Sequence, residues 1–303
     1  MDKVILGRTG LKVSVAGLGC GGFSRLGLGT GKDFDNAVNV VRCALENGIN
    51  FIDTAEVYGT ETAVGEGIRG YDRSQIVLST KFAYNRTDNN DLRPAEEFEV
   101  ALDASLKALG TDYVDVYHLH GVSSSQYQRA IERYYPLMIK AREKGKIRNL
   151  GITEAFSTDT SHKTLNMAMS DDLFDVVMVG YNILNPSAAK ALLPTYIRRN
   201  VGTLCMFAVR NAFSNPERLR ELLEPIGKEN LDWLIEDGYA SSMTEAAYRF
   251  CRHTKGIHVI LTGTGSTAHL LENIKSINME PLDKKAVERL HTIFSDVNSV
   301  SGQ

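Results

Sequence analysis

The 303-residue chain has a single Trp, seven Pro and four Cys, and its basic and acidic residues, 34 against 37, nearly cancel. Each of these scarcities excludes something. Cys20, Cys43, Cys205 and Cys251 are scattered with no Cys-x-x-Cys spacing, so they read as reduced thiols and not as a disulfide frame. The net charge of −3 carries no basic block and no acidic tail, which argues against a nucleic-acid or membrane-surface partner. No apolar run reaches the roughly 18 residues a membrane span needs. The opening stretch, Met1 to Ser14, lacks the long apolar segment of a secretory signal, and the expected compartment is the cytoplasm. No Pro/Gly/Ser-rich linker divides the chain, so residues 1–303 are expected to form a single domain. A chain of this size buries about 75% of the surface it would expose unfolded, enough for a large core.

What is present is an alternation of short β-branched runs with amphipathic segments of a dozen or so residues. Strands are expected at Ser14–Gly19, Phe51–Asp53, Ile76–Thr80, Val114–Leu119, Arg148–Thr153, Val176–Val179, Gly202–Phe207 and Val259–Leu261. Helices are expected at Phe34–Asn47, Thr62–Arg69, Pro94–Leu109, Tyr127–Lys144, Thr160–Met169, Pro186–Asn200, Met243–His253 and Thr267–Ile277. Asn47-Gly48, Leu109-Gly110 and Lys144-Gly145 supply C-terminal caps. Such strand–helix units count out a closed (β/α)8 barrel. A doubly wound open sheet is the alternative, but it would place a Gly-rich phosphate loop directly between first strand and first helix. Gly17-Leu18-Gly19-Cys20-Gly21-Gly22 leads instead into a loop. Lys3–Leu6 and Leu11–Val13 read as a hairpin plugging the barrel bottom, and Asp283–Phe294 as an extra C-terminal helix. Residues 214–242, inserted after strand seven, are a candidate lid, with helical patterns at Pro216–Leu223 and Lys228–Glu236; a solvated decoration is the other reading.

Active sites of such barrels lie at the C-terminal ends of the strands. Strand two ends at Asp53, with Tyr58 in its loop; strand three ends at Lys81 and strand four at His120. Neighbouring strands are about 4.8 Å apart, so these groups share one small arc. The set suits proton transfer to a carbonyl oxygen. A lysine ammonium beside a tyrosine is expected to lower the phenol pKa, an Asp holds that lysine charged, and a His orients the substrate oxygen. With a proton donor and no evident nucleophile, the arrangement needs a hydride source, which means a nicotinamide cofactor. His118 shares side-chain parity with His120; a hydrogen-bonded interior imidazole is expected there in preference to half of a metal pair, and no metal site is expected.

The stretches Asn50-Phe51-Ile52-Asp53-Thr54-Ala55-Glu56-Val57-Tyr58-Gly59, Ser79-Thr80-Lys81, Asp112 to His120 and Gly145 to Thr153 resemble the aldo-keto reductase superfamily, over residues 3 to 295 or so. The His-x-His ending resembles its sugar 1-dehydrogenase branch, which includes L-galactose dehydrogenase. The resemblance implies Tyr58 as general acid/base, Lys81 and Asp53 as its tuners, His120 as the carbonyl-orienting residue, and an NADP or NAD cofactor extended across the strand ends. It places Gly21, Asp53, Thr153, Glu154, Met178, Met206, Phe207, Gly263, Thr264, His269, Glu272 and Asn273 against that cofactor. Several of these depart from the family pattern. Thr153-Glu154 replaces the Ser-Asn that holds the nicotinamide carboxamide, and Glu154 is expected to accept from the carboxamide NH2. Met178 replaces a Gln, and Met206 stands where an aromatic stacks on the nicotinamide. Gly263, Gly265 and His269 occupy positions where NADP-selective members carry Lys or Arg, so cofactor selectivity is expected to be relaxed or to lean toward NAD. The expected reaction interconverts an aldehyde, ketone or sugar lactone with an alcohol or lactol. Alternatives are a nicotinamide-bound regulatory subunit and a barrel enzyme using Lys81 as a Schiff-base lysine. Phe23, Phe82, Tyr84 and Val122 are expected at a partly apolar mouth.

Overall fold

A computed structural model describes residues 1–85 and 91–303. The strands are β1 (Lys3–Ile5), β2 (Lys12–Ser14), β3 (Ala16–Gly19), β4 (Phe51–Asp53), β5 (Val77–Phe82), β6 (Val114–Val122), β7 (Ile147–Glu154), β8 (Val176–Gly180), β9 (Gly202–Met206) and β10 (Val259–Thr262). The strands β3 to β10 pair in parallel in chain order and close where β10 meets β3, giving the (β/α)8 barrel that the alternation predicts. β1 and β2 form the antiparallel hairpin, whose Leu6 and Val13 sit among the barrel-interior residues Phe51, Val77, Val116, Val176 and Leu204. Gly202 must lack a side chain because a Cβ there would stand 2.8 Å from Leu6.

Period-two alternation sets which residues point inward. Phe51 and Asp53, Val77 and Lys81, and Val116 and His120 share inward parity, apolar at the bottom and ionisable at the top, while Ile52, Leu78 and Tyr117 pack outward against helices. The first helix, Phe34–Glu46, starts where the Asp33 carboxylate accepts from Asn36 N at 2.8 Å, a cap worth about 1 kcal/mol. The helix at Glu96–Leu109 ends on Gly110 at φ +66°, as its Gly signals.

Four elements differ from the sequence pattern. The expected first strand changes sheets at Val15, since Ser14 pairs with Lys3 in the hairpin and Ala16 with Ile260 in the barrel. The segment Pro186–Asn200 breaks at Leu192 into Ala188–Ala191 and Leu193–Arg198, because Pro194 lacks an N–H and its ring crowds the preceding turn. The helix expected from Thr160 starts at Lys163, since His162 lies in the left-handed region and the Asp159 carboxylate caps Lys163 N and Thr164 N. The 214–242 insert packs Leu219, Leu223, Leu231 and Leu234 into the core, with the Arg289 guanidinium 4.0 Å above Trp233. Its second expected helix shrinks to Trp233–Glu236.

Candidate active site

The barrel mouth opens into a cleft of about 920 Å³. Asp53 and Tyr58 line it at one end, Glu272 and Asn273 at the other. Lys81 lies beneath its floor, fully buried, donating to Asp53 Oδ2 and to the Thr54 carbonyl, both at 2.6 Å. Ser79 Oγ donates to the other Asp53 oxygen at 2.8 Å. Burial alone would drive Lys81 toward the neutral amine, but Asp53 and Tyr58 overcome it and raise the lysine pKa. The Lys81 ammonium stands 4.9 Å from the Tyr58 ring centroid.

Tyr58 is held by its backbone. The turn Glu56–Tyr58 is followed by Gly59 at φ +70°, and the Glu56 carboxylate accepts from Ala83 N and Arg93 Nη1, each at 2.6 Å. Gly21 lies flat on the ring: a Cβ there would stand 2.4 Å from Tyr58 Cε2. Tyr58 Oη and His120 Nε2 are 3.1 Å apart. Burial, and then Lys81, push the His120 pKa down to about 3, so the imidazole is neutral and can hydrogen-bond a substrate oxygen. The phenol differs from expectation. Burial raises its pKa more than Lys81 lowers it, so Tyr58 stays a protonated acid.

Two further expectations are corrected. His118 is fully buried one layer below His120; the Ile152 backbone is near enough to oppose the fall in its pKa, yet among the described residues neither ring nitrogen finds a partner in regular hydrogen-bond geometry. It fills space left by Gly151, where a Cβ would fall 2.2 Å from Nδ1. Among the described residues no cluster of three His, Cys, Asp or Glu is placed to hold a metal. Glu154 faces away from the cleft: its carboxylate is fully buried, 2.9 and 3.0 Å from His162 Nδ1, and accepts from Gly180 N at 2.8 Å. Those bonds leave it no free reach toward a carboxamide. The neighbouring Thr153 hydroxyl accepts from Gly121 N at 2.6 Å, and neither residue lines the cleft.

Gly21, Met178, Met206, Phe207, Gly263, Thr264, His269, Glu272 and Asn273 all line it. Phe207 adopts φ +67°, a left-handed conformation that costs a bulky residue roughly 1–3 kcal/mol and that Phe156, edge-on at 5.4 Å, helps to hold. The glycines of the β10 loop have a steric reason. A Cβ on Gly263 would meet the Gly19 carbonyl at 2.9 Å, and one on Gly265 would meet Gly27 Cα at 2.4 Å. The Thr264 hydroxyl accepts from Ser266 N at 3.1 Å, and Asn273 Nδ2 donates to Thr262 Oγ1 at 2.9 Å, leaving its oxygen available. An elongated cleft with glycine walls, two thioethers and a Phe near Tyr58, and an exposed Glu272 at the far end fits a dinucleotide.

The aldo/keto reductase family model matches residues 17–294. The chain belongs to the aldo/keto reductase family. Among family members, L-galactose dehydrogenase of Arabidopsis thaliana is 27% identical, the alignment covering 98% of this chain and 95% of that protein. Aldo-keto reductase YhdN of Bacillus subtilis is also 27% identical, with 99% and 95% covered. A probable voltage-gated potassium channel subunit beta of Arabidopsis thaliana is 25% identical, with 91% of each covered. The holo form of aldo-keto reductase AKR11C1 from Bacillus halodurans superposes with a TM-score of 0.75 at 22% identity, covering 96% of each chain, and shares the fold. As a member of this family, the protein is an oxidoreductase of the kind that acts on small carbonyl compounds. No described helix is long and apolar enough to cross a membrane.

Other residues placed here escaped the sequence reading. Arg210 lines the cleft beside Phe207, and Ser242, Thr244 and Tyr248 wall its far end. For Arg210 the signal was available: it is the first charge after the apolar run Cys205 to Val209. Of the expected mouth residues only Phe23 lines the cleft; Phe82, Tyr84 and Val122 are buried in the core, where Phe82 packs on Phe98 and Tyr134. From the 214–242 insert, Ser214 and Ser242 at its two ends reach the cleft.

Proposed function

We propose that the protein is an NAD(P)(H)-dependent oxidoreductase that interconverts an aldehyde, ketone or sugar lactone with the corresponding alcohol or lactol, with Tyr58 as general acid/base. One observation carries this reading: a protonated phenol that lines the cleft, with a neutral imidazole 3.1 Å from it, stands beside a buried Lys81–Asp53 ion pair. A bound nicotinamide supplies or accepts hydride. The chain's own groups handle the proton. His120 and the Tyr58 hydroxyl together orient a carbonyl oxygen, and Tyr58 Oη gives its proton to that oxygen as negative charge develops. The Lys81 ammonium stabilises the resulting tyrosinate, and Asp53 and the Thr54 carbonyl fix the ammonium in place. In the oxidative direction the same phenolate takes the alcohol proton. Lys81 is a poor candidate for a Schiff base, since it is sealed from solvent and its pKa is raised.

The cofactor grip is expected to be uneven. Met206 and Phe207 offer cover for a ring, Glu272 and Asn273 accept from an adenine, and the cleft offers no Lys or Arg at 263, 265 or 269 for a 2′-phosphate, so selectivity is relaxed or leans to NAD. The turning of Glu154 into the protein favours a second reading, a nicotinamide-bound regulatory or interaction subunit with slow turnover. A panel of aldehydes, ketones and aldoses, followed by NAD(P)H absorbance, separates the two. Turnover of at least one substrate class is expected; cofactor retained through purification with no turnover of any would support the subunit reading.

A further inference from the structure

Arg210 follows β9 on a loop that lines the cleft, and its guanidinium lies 4.0 Å above the Phe207 ring. On the opposite wall a Cβ at Gly22 would come 3.6 Å from Arg210 Nη1, so the side chain spans the opening between the β9 and β3 loops. Arg210 is the one Lys or Arg among the described residues lining this cleft. It is partly buried, and among the described residues no carboxylate lies within ion-pairing distance of it. Its polar neighbour is a neutral carboxamide: the Gln303 side-chain oxygen, turned toward the guanidinium, accepts from Nε at 2.6 Å and also from Nη2. Burial lowers the arginine pKa and the Tyr58 phenol pulls it back, which puts the cation within electrostatic range of the acid/base.

A half-desolvated guanidinium without a counter-ion is costly unless an anion completes it. Its planar fork matches two oxygens of a carboxylate or phosphate, which would displace the weaker Gln303 carboxamide. The Phe207 ring, 4.0 Å from the guanidinium carbon, gives the cation an aromatic face to rest on. We propose that Arg210 is an oxyanion-binding residue of the active-site cleft, taking the carboxylate or phosphate of a ligand whose reacting end lies at Tyr58. This rests on the oxidoreductase reading for the identity of the ligand but not for the binding itself. The anion comes from one of two sources, an acidic group on the carbonyl substrate or the diphosphate of the cofactor.

The test compares wild type with Arg210→Met, which keeps length and cover over Phe207 but removes the charge, and Arg210→Lys, which keeps the charge but not the fork. Calorimetric titration of inorganic pyrophosphate and of benzoate needs no turnover. At least one of the two anions is expected to bind about tenfold more weakly to Arg210→Met, with Arg210→Lys between. The source is then read from direct binding of NADH and from kcat/KM on 4-carboxybenzaldehyde against 4-nitrobenzaldehyde at saturating cofactor. Loss confined to the carboxylated aldehyde assigns the substrate; a raised Kd for NADH, with both aldehydes restored at saturation, assigns the cofactor. Unchanged binding of both anions and of NADH, with circular dichroism showing a folded variant, overturns the proposal. Tyr58→Phe should keep the anion affinity of wild type while losing turnover, so failure of the reaction assignment is distinguishable from failure of the anion site.

Discussion

Removing the Lys81 side-chain charge probes the ion pair on which the site is built. Lys81 and Asp53 are both buried, joined at 2.6 Å, and among the described residues Asp53 otherwise has only the Ser79 hydroxyl on its second oxygen. Lys81→Met leaves a carboxylate stranded in the barrel, and breaking such a pair from one side costs about 3–5 kcal/mol. For a 303-residue chain that is a fall in Tm of roughly 5–8 °C. Burial is already the largest influence raising the Asp53 pKa, and Lys81 is the main influence opposing it. Without Lys81 the folded-state pKa of Asp53 rises further above its unfolded value. The folded variant then binds more protons than the unfolded chain at mildly acid pH, so its deficit relative to wild type should shrink from pH 7 to pH 5. Adding Asp53→Asn removes the stranded charge and should recover much of the loss without recovering activity. Guanidinium melts at the two pH values measure all four species of the cycle. A deficit below about 1 kcal/mol, or one equal at both pH values, would refute the reasoning about the buried pair.

Gly21→Ala should lower kcat while leaving the barrel folded, because its Cβ would push on the Tyr58 ring from 2.4 Å; steady-state kinetics beside circular dichroism would show it. The His118 pKa is held well below its usual value, first by burial and then by Lys81 and His120, so the unfolded chain takes up a proton there that the folded one refuses. Stability is therefore lost as pH falls below about 6.5, at about 1.4 kcal/mol per pH unit, and His118→Leu should flatten that slope in acid melts. NADH and NADPH should bind within about tenfold, or 1.4 kcal/mol, of one another, or NADH more tightly. A direct titration giving NADPH the advantage by more than that would contradict the reading of Gly263, Gly265 and His269.

The barrel was legible because buried parallel strands write themselves as short β-branched runs, and three consecutive strand ends carried Asp53, Lys81 and His120. Side-chain parity was equally available and marks where the reading fell short. With Lys81 inward, Phe82 must face the helices; with Thr153 inward, Glu154 must do the same, and there it meets His162. No local signal foretells that partner, since His162 reaches it through a left-handed turn. The sign of the Tyr58 shift was also out of reach: lysine and burial act in opposite directions, and only the packing decides which is larger. The place of the His118 ring depends on Gly151 across the strand pair, a contact set by barrel register. Arg210 stood in plain view, but its lack of a carboxylate partner among the described residues is a tertiary fact.

Tyr58→Phe tests the central claim most directly, because it deletes one oxygen from a ring whose place is fixed by Gly21 and the Glu56 turn. With a carbonyl substrate found by the panel, kcat for reduction should fall by about 10²–10⁴, the contribution of a positioned acid, while the Kd for the nicotinamide cofactor stays within about twofold. A variant that reduces the same substrate at the wild-type rate would contradict the assignment of Tyr58 as the acid/base.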